Sequence, residues 1–164
     1  METARMPHAP MPSAAPSETL PVLPTAADIR RLVEDKSAAR VEELRRRQAA
    51  IEEEEKLRRA AFMERTLTPG FIGTVMTRVQ HAAEGGEKRL LLGQFPCEWC
   101  TDGGRKINVM EGDWPDTLQG FARVLFDFWA AELKPRGFGL SVEVVSFKEG
   151  GIPGDIGAFL SWRG

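Results

Sequence analysis

Two cysteines three residues apart are the side chains of this sequence whose spacing could do chemistry. They form the motif Cys97-Glu98-Trp99-Cys100, which follows an apolar run and Pro96. In redox proteins the first thiol of such a motif lies at a helix N-terminus, where the dipole lowers its pKa. Here Thr101-Asp102-Gly103-Gly104 follows, and the paired glycines disfavour a helix. We therefore expect reduced, non-catalytic loop thiols with an ordinary pKa of about 8.5.

Metal binding is a second use for the same pair. A zinc site takes four ligands, usually as two pairs of similar spacing. The histidines of the chain are His8, near the N-terminus, and His81, on the polar side of a predicted helix, so the chain offers no second ligand pair. The sequence predicts no cofactor. Zinc shared between two subunits, or a redox-sensing thiol pair, stays open as the alternative.

Two glycine-rich segments could bring further side chains to the cysteines. They are Asp102–Arg105 and Gly150–Asp155, and neither has the Gly-Lys-Ser/Thr of a phosphate-binding loop. If strands 89–95 and 139–147 form a parallel crossover through helix 115–134, both loops leave the same edge of the sheet. The candidate ligand- or partner-binding residues at that edge are Cys97, Trp99, Cys100, Asp102, Arg105 and Asp155. If Lys106–Met110 is instead a strand, the loops can lie at opposite edges.

Trp99 is the tryptophan that we expect to be exposed, because it lies in a loop between the two cysteines. Large exposed aromatic side chains are typical of binding contacts. No catalytic residues are predicted, since neither histidine is placed to act as the base of a Ser-His-Asp triad. The sequence therefore favours a protein that is not an enzyme.

The segment before these loops predicts one long charged helix over Asp28–Arg65. It contains no Gly or Pro, and either Thr25 or Asp28 can cap it. Five acid-first i,i+4 pairs support it: Glu42–Arg46, Glu43–Arg47, Glu52–Lys56, Glu54–Arg58 and Glu55–Arg59.

A coiled coil through this helix is an open alternative. Leu44 and Ile51 are seven residues apart, but the same heptad row continues to Ser37 and Arg58, which interrupt the seam. The sequence therefore predicts either a protein partner or self-association through 28–65, and it does not require a stable coiled coil.

Residues 67–164 predict a small α+β domain, with two helices packed on a three- to four-stranded sheet in two layers. Thr68-Pro69-Gly70 starts the first helix, which ends at Gly85-Gly86. Apolar spacing predicts the second helix over 115–134, and strands are predicted at 89–95, 140–144 and 158–162. Residues 1–27 are rich in Pro and Ala and predict a disordered tail.

Charge and hydropathy exclude several partner classes. The formal net charge is −2, and acidic and basic residues interleave along 28–65, so nucleic-acid binding is not expected. No apolar run is long enough for a bilayer, and no secretory signal is present, so we expect a cytoplasmic protein with no membrane partner. The sequence thus favours a non-enzymatic interaction or assembly protein, with a thiol-redox or zinc-binding domain as the alternative.

Overall fold

A computed structural model of the protein describes residues 21–162. The predicted disordered tail lies outside the described residues as far as residue 20, and residues 21–25 form neither helix nor strand. The chain separates into two compact units, with the division between Gln48 and Ala49. This division lies inside the long helix, before the boundary at residues 65–67 that the composition suggests.

The long helix α1, Ala26–Glu64, is confirmed and begins with a reciprocal cap. The Thr25 hydroxyl accepts a hydrogen bond from the backbone N–H of Asp28 at 3.1 Å, and the Asp28 carboxylate accepts one from the backbone N–H of Thr25 at 2.9 Å. These bonds satisfy donors that a helix start leaves free. The Thr25 hydroxyl also donates to the Asp28 carboxylate at 2.6 Å, and this bond, followed by that from the Thr25 N–H, lowers the pKa of the Asp28 carboxyl. Among the predicted ion pairs, Glu42–Arg46 closes at 3.4 Å and Glu43–Arg47 is also formed.

The rest of the chain has the predicted α+β architecture. Helix α2 begins at the predicted cap, where the Thr68 hydroxyl accepts a hydrogen bond from the backbone N–H of Phe71 at 3.2 Å. The three-stranded sheet has the order β1-β3-β2, with β3 antiparallel to both neighbours. The elements of this part are α2 (Pro69–Glu84), β1 (Arg89–Pro96), α3 (Arg105–Asn108), α4 (Gly120–Phe128), β2 (Gly139–Val144) and β3 (Asp155–Ser161).

The strand considered at Lys106–Met110 is absent, and α3 takes its place. The Asp102 carboxylate accepts hydrogen bonds from the backbone N–H groups of Gly104, at 2.9 Å, and Lys106, at 2.8 Å. Gly104 has φ +81°, a left-handed conformation that suits glycine. The turn that looked like a helix breaker therefore becomes the start of a short helix.

The single helix predicted over 115–134 is also divided. A 3₁₀ turn, Trp114–Thr117, precedes α4, which continues beyond Phe128 as a π-helical turn, Trp129–Leu133. Gly120 opens α4 with φ +56°, and a Cβ there would lie 2.8 Å from the Cα of Met63. The lack of a side chain at Gly120 thus lets the backbone at the end of α1 lie close to the start of α4.

The core lies on one face of the sheet, under α2 and α4. Ile156 and Leu160 of β3 are completely buried, and each belongs to one of two apolar clusters. Phe62, in the last turn of α1, packs against the cluster around Ile156. The last turn of α1 therefore packs as part of the body. Across residues 21–162, no helix combines the length and apolar character that a membrane span needs.

Candidate functional site

The Cys97–Cys100 motif forms a tight turn directly after β1. Cys97–Trp99 make one 3₁₀ turn, and the backbone N–H of Cys100 donates to the carbonyl of Cys97 at 3.0 Å. Both thiols are free, with only 1% of Cys97 and 4% of Cys100 exposed. A Cβ on Gly104 would lie 3.0 Å from the Cys97 sulfur, so the loop packs tightly over that thiol.

Burial sets the ionisation of these thiols. It raises the pKa of the Cys97 thiol, and the nearby Asp155 carboxylate adds to the effect. Burial likewise raises the pKa of the Cys100 thiol to about 12, with a further contribution from Asp102. The expectation of an exposed loop thiol with an ordinary pKa is therefore wrong. These cysteines are neutral at physiological pH, the opposite of an activated nucleophile.

The two glycine-rich segments do meet beside the cysteines. β1 and β2 both run antiparallel to β3, so they run parallel to each other and end on the same side. β3 lies between β1 and β2 in the sheet. The backbone N–H of Cys97 donates to the carbonyl of Gly154 at 2.9 Å, and the Lys148 ammonium lies 2.7 Å from the Glu98 carboxylate.

Four of the six candidate residues come together in this region: Cys97, Cys100, Asp102 and Asp155. The carboxylates are within electrostatic range of the thiols, but both have structural partners. Asp102 caps α3, while the Asp155 carboxylate accepts a hydrogen bond from the Ser146 hydroxyl at 3.1 Å. The region is thus a satisfied junction of loops.

The other two candidates have separate surroundings. Trp99 is half-buried, with its ring centre 4.8 Å from that of Phe62, so the expectation that it is exposed is wrong. Arg105 is exposed and pairs with Glu111 at 3.2 Å. In the part of the chain that the structure describes, no three His, Cys, Asp or Glu side chains gather as a metal site would require.

Two further features of the structure are apolar. The first lies on α1, where seven large apolar side chains are between 48% and 64% exposed. Those that share one side of the helix, which we call the α1 stripe, are Ile29, Val33, Val41, Leu44 and Ile51. Leu32 and Leu57 lie off it. The five fall within about a third of the helix circumference, a pattern readable from the spacing alone.

The second feature is a cavity of about 130 Å³ in the body. Its walls include Phe62, Phe71, Phe121 and Val142, and Arg65 lies among the lining residues. No sequence motif indicates this cavity, because its lining residues come from distant parts of the sequence.

Comparison with known proteins identifies no relative: no family model, no curated protein and no solved structure matches this chain.

Proposed function

We propose that this protein is a non-enzymatic assembly protein that joins copies of itself through α1. The α1 stripe is the observation that carries the proposal. Its five side chains are about half or more exposed, and no side chain of α1 is buried within the chain. Burying such side chains against a second helix removes apolar surface from water and stabilises the pair.

The charges beside the stripe favour a parallel, in-register pair of helices. In that arrangement Arg47 of one helix faces Glu52 of the other, and Glu54 faces Arg59. Opposite charges at these flanking positions select the partner and its direction. Arg40 faces Arg45 and opposes the pairing. In this register Val41, Leu44 and Ile51 lie in the seam, Ile29 and Val33 lie beside it, and the seam is interrupted by Ser37, Gln48, Glu55 and Arg58. We therefore expect reversible association, with Kd in the range of about 1 to 100 µM.

The cysteine turn supports a structural role for the body. Thiols that are buried and neutral lack the thiolate that redox exchange requires, which weighs against the redox alternative for Cys97 and Cys100. The zinc alternative lacks support within one chain because, among the described residues, no further ligands gather beside this pair.

The test is the mass of the native full-length protein as a function of concentration, measured by sedimentation equilibrium. The chain mass is 18.2 kDa, and we expect the mean mass to approach twice that value as concentration rises. The double variant Leu44→Glu/Ile51→Glu should remain monomeric, because it places charges in the stripe. The matched control, Leu32→Glu/Leu57→Glu, introduces the same charges off the stripe and should still associate.

Two outcomes contradict the proposal. One is a wild-type protein that stays monomeric throughout the concentration range. The other is equal loss of association in both double variants, which would indicate that added charge, and not the stripe, controls the mass. Circular dichroism of each variant checks that α1 remains helical.

A further inference from the structure

One side of the cavity in the body is formed by small residues of the sheet. In β1 the register shifts between Leu91 and Gly93, and Gly93 then pairs with Ala158 of β3. Paired residues of antiparallel strands point to the same face of the sheet. Gly93 is exposed, and a Cβ on it would meet nothing within 4 Å, so this pair lines the open side of the cavity.

The walls of the cavity are apolar apart from Arg65 and Gln94. They come from the last turn of α1, from α2, from α4 and from all three strands, with five phenylalanines among the lining residues. An apolar cavity of about 150 Å³ stays dry and binds benzene. This cavity, at about 130 Å³, therefore has room for a single aromatic ring or a short aliphatic chain.

One positively charged side chain, Arg65, lines the cavity. The Arg65 guanidinium carbon lies 4.3 Å from the ring centre of Phe121 and 5.1 Å from that of Phe71. Both distances fit cation–π contacts, which hold the guanidinium against the cavity wall. Within residues 21–162, Arg65 has no carboxylate partner and no hydrogen-bond acceptor. Its donors suit the two oxygens of a carboxylate.

We infer that this cavity is a binding site for a small amphiphilic anion. The ligand is a monocarboxylate whose apolar part is about the size of a benzene ring, with its carboxylate on Arg65 and its apolar part over the Gly93–Ala158 pair. A few polar groups at the edge of an apolar pocket are typical of small-molecule sites. This site is independent of the α1 stripe.

Benzoate and benzyl alcohol are the probes, since they share the ring and differ in charge. Titration of the full-length protein, followed by calorimetry or by NMR shifts, should give benzoate a Kd of about 1 mM or tighter. Benzyl alcohol should bind about tenfold more weakly, because it lacks the carboxylate.

Arg65→Gln should remove the preference for benzoate and leave the binding of benzyl alcohol unchanged. Arg58→Gln is the matched control, since Arg58 is another arginine of α1 that does not line the cavity, and it should bind both probes like the wild type. Gly93→Leu should abolish binding of both probes by filling the cavity. Gly73→Leu is its control, because Gly73 has open space around it outside the cavity.

Absence of benzoate binding to the wild-type protein at about 10 mM would overturn the inference. Equal affinity for the two probes, unchanged in Arg65→Gln, would also overturn it, because the site would then take neutral apolar ligands. If Gly93→Leu does not fold, the ratio of the two affinities in Arg65→Gln still decides the question.

Discussion

Phe62 is the side chain that joins the end of α1 to the body. Its ring centre lies 4.8 Å from that of Trp99, 5.4 Å from Phe95 and 6.5 Å from Phe121. These rings come from three separate segments of the chain, so one residue connects α1, β1 with its following turn, and α4. Aromatic contacts of this kind add to the stabilisation that burial alone supplies.

We expect Phe62→Ala to reduce the free energy of unfolding by about 2–4 kcal/mol, because it removes a ring packed on three others. Leu57→Ala is the control, since Leu57 is on the same helix but 63% exposed. It should change stability by less than about 0.5 kcal/mol. Urea unfolding followed by tryptophan fluorescence measures both, and equal effects would contradict the packing described for Phe62.

The buried cysteines make a second prediction at the residue scale. At pH 8 the native Cys100 thiol should react with iodoacetamide about a thousandfold more slowly than in the urea-unfolded chain, because its raised pKa leaves little thiolate, and Cys97 should also be slowed. The native rate should keep rising with pH beyond the ordinary thiol range. An inflection below pH 7 would contradict the burial and restore the redox alternative.

The raised pKa of the Cys100 thiol also determines the direction in which stability changes with pH. The fold favours the neutral thiol, so this contribution is complete below the unfolded-state pKa of about 8.5. It is lost as the pH rises from there towards about 12, the folded value for Cys100. Cys100→Ser should flatten the alkaline decline of the unfolding free energy.

At the scale of elements, features with local causes were predictable. The starts of α1 and α2 depend on Thr25 with Asp28 and on Thr68 with Pro69, which act within one turn of chain. The alternation of apolar residues also located β2, whose Val142 and Val144 are partly buried against the core.

Elements that depend on distant contacts were not predictable. The apolar spacing through residues 118–133 reads as one helix, yet Gly120 interrupts it where the backbone of Met63 approaches. There a contact that no local pattern contains decides the structure. Lys106–Met110 was misread for a different reason: it alternates like a strand, but the Asp102 carboxylate, only four residues before Lys106, caps a helical turn there, and that local cap was not recognised.

The candidate site shows the same limit. The meeting of the two glycine-rich loops was one of two arrangements considered from strand direction, and β3 lies between the strands that carry them. The burial of Cys97, Cys100 and Trp99 was missed, because it depends on Phe62 and on the close packing of Gly104. Motif spacing identifies neighbours along the chain but does not reveal what covers them.

At the scale of the whole molecule, the residues of α1 proposed for assembly and those that pack on the body lie in different parts of the helix. Four of the five stripe residues, Ile29 to Leu44, precede the division at Gln48, whereas Phe62 and Arg65 follow it. Assembly and the integrity of the body should therefore be separable by truncation. This separation distinguishes the assembly proposal from the ligand inference, since each depends on a different part of the chain.

A chain that starts at Ala49 should lose association but keep the body. We expect a monomer with cooperative thermal unfolding, a Tm within about 5 °C of the full-length protein, and unchanged benzoate binding.

A chain that starts at Leu67 lacks Phe62 and Arg65 as well. Its Tm should fall by a further 10–20 °C or so, because a loss of about 2–4 kcal/mol displaces the transition of a domain this size by that much, and benzoate binding should disappear. Scanning calorimetry of the two truncated chains measures the difference. Equal Tm values would show that the last turn of α1 does not belong to the body, and that the boundary lies at residues 65–67 after all.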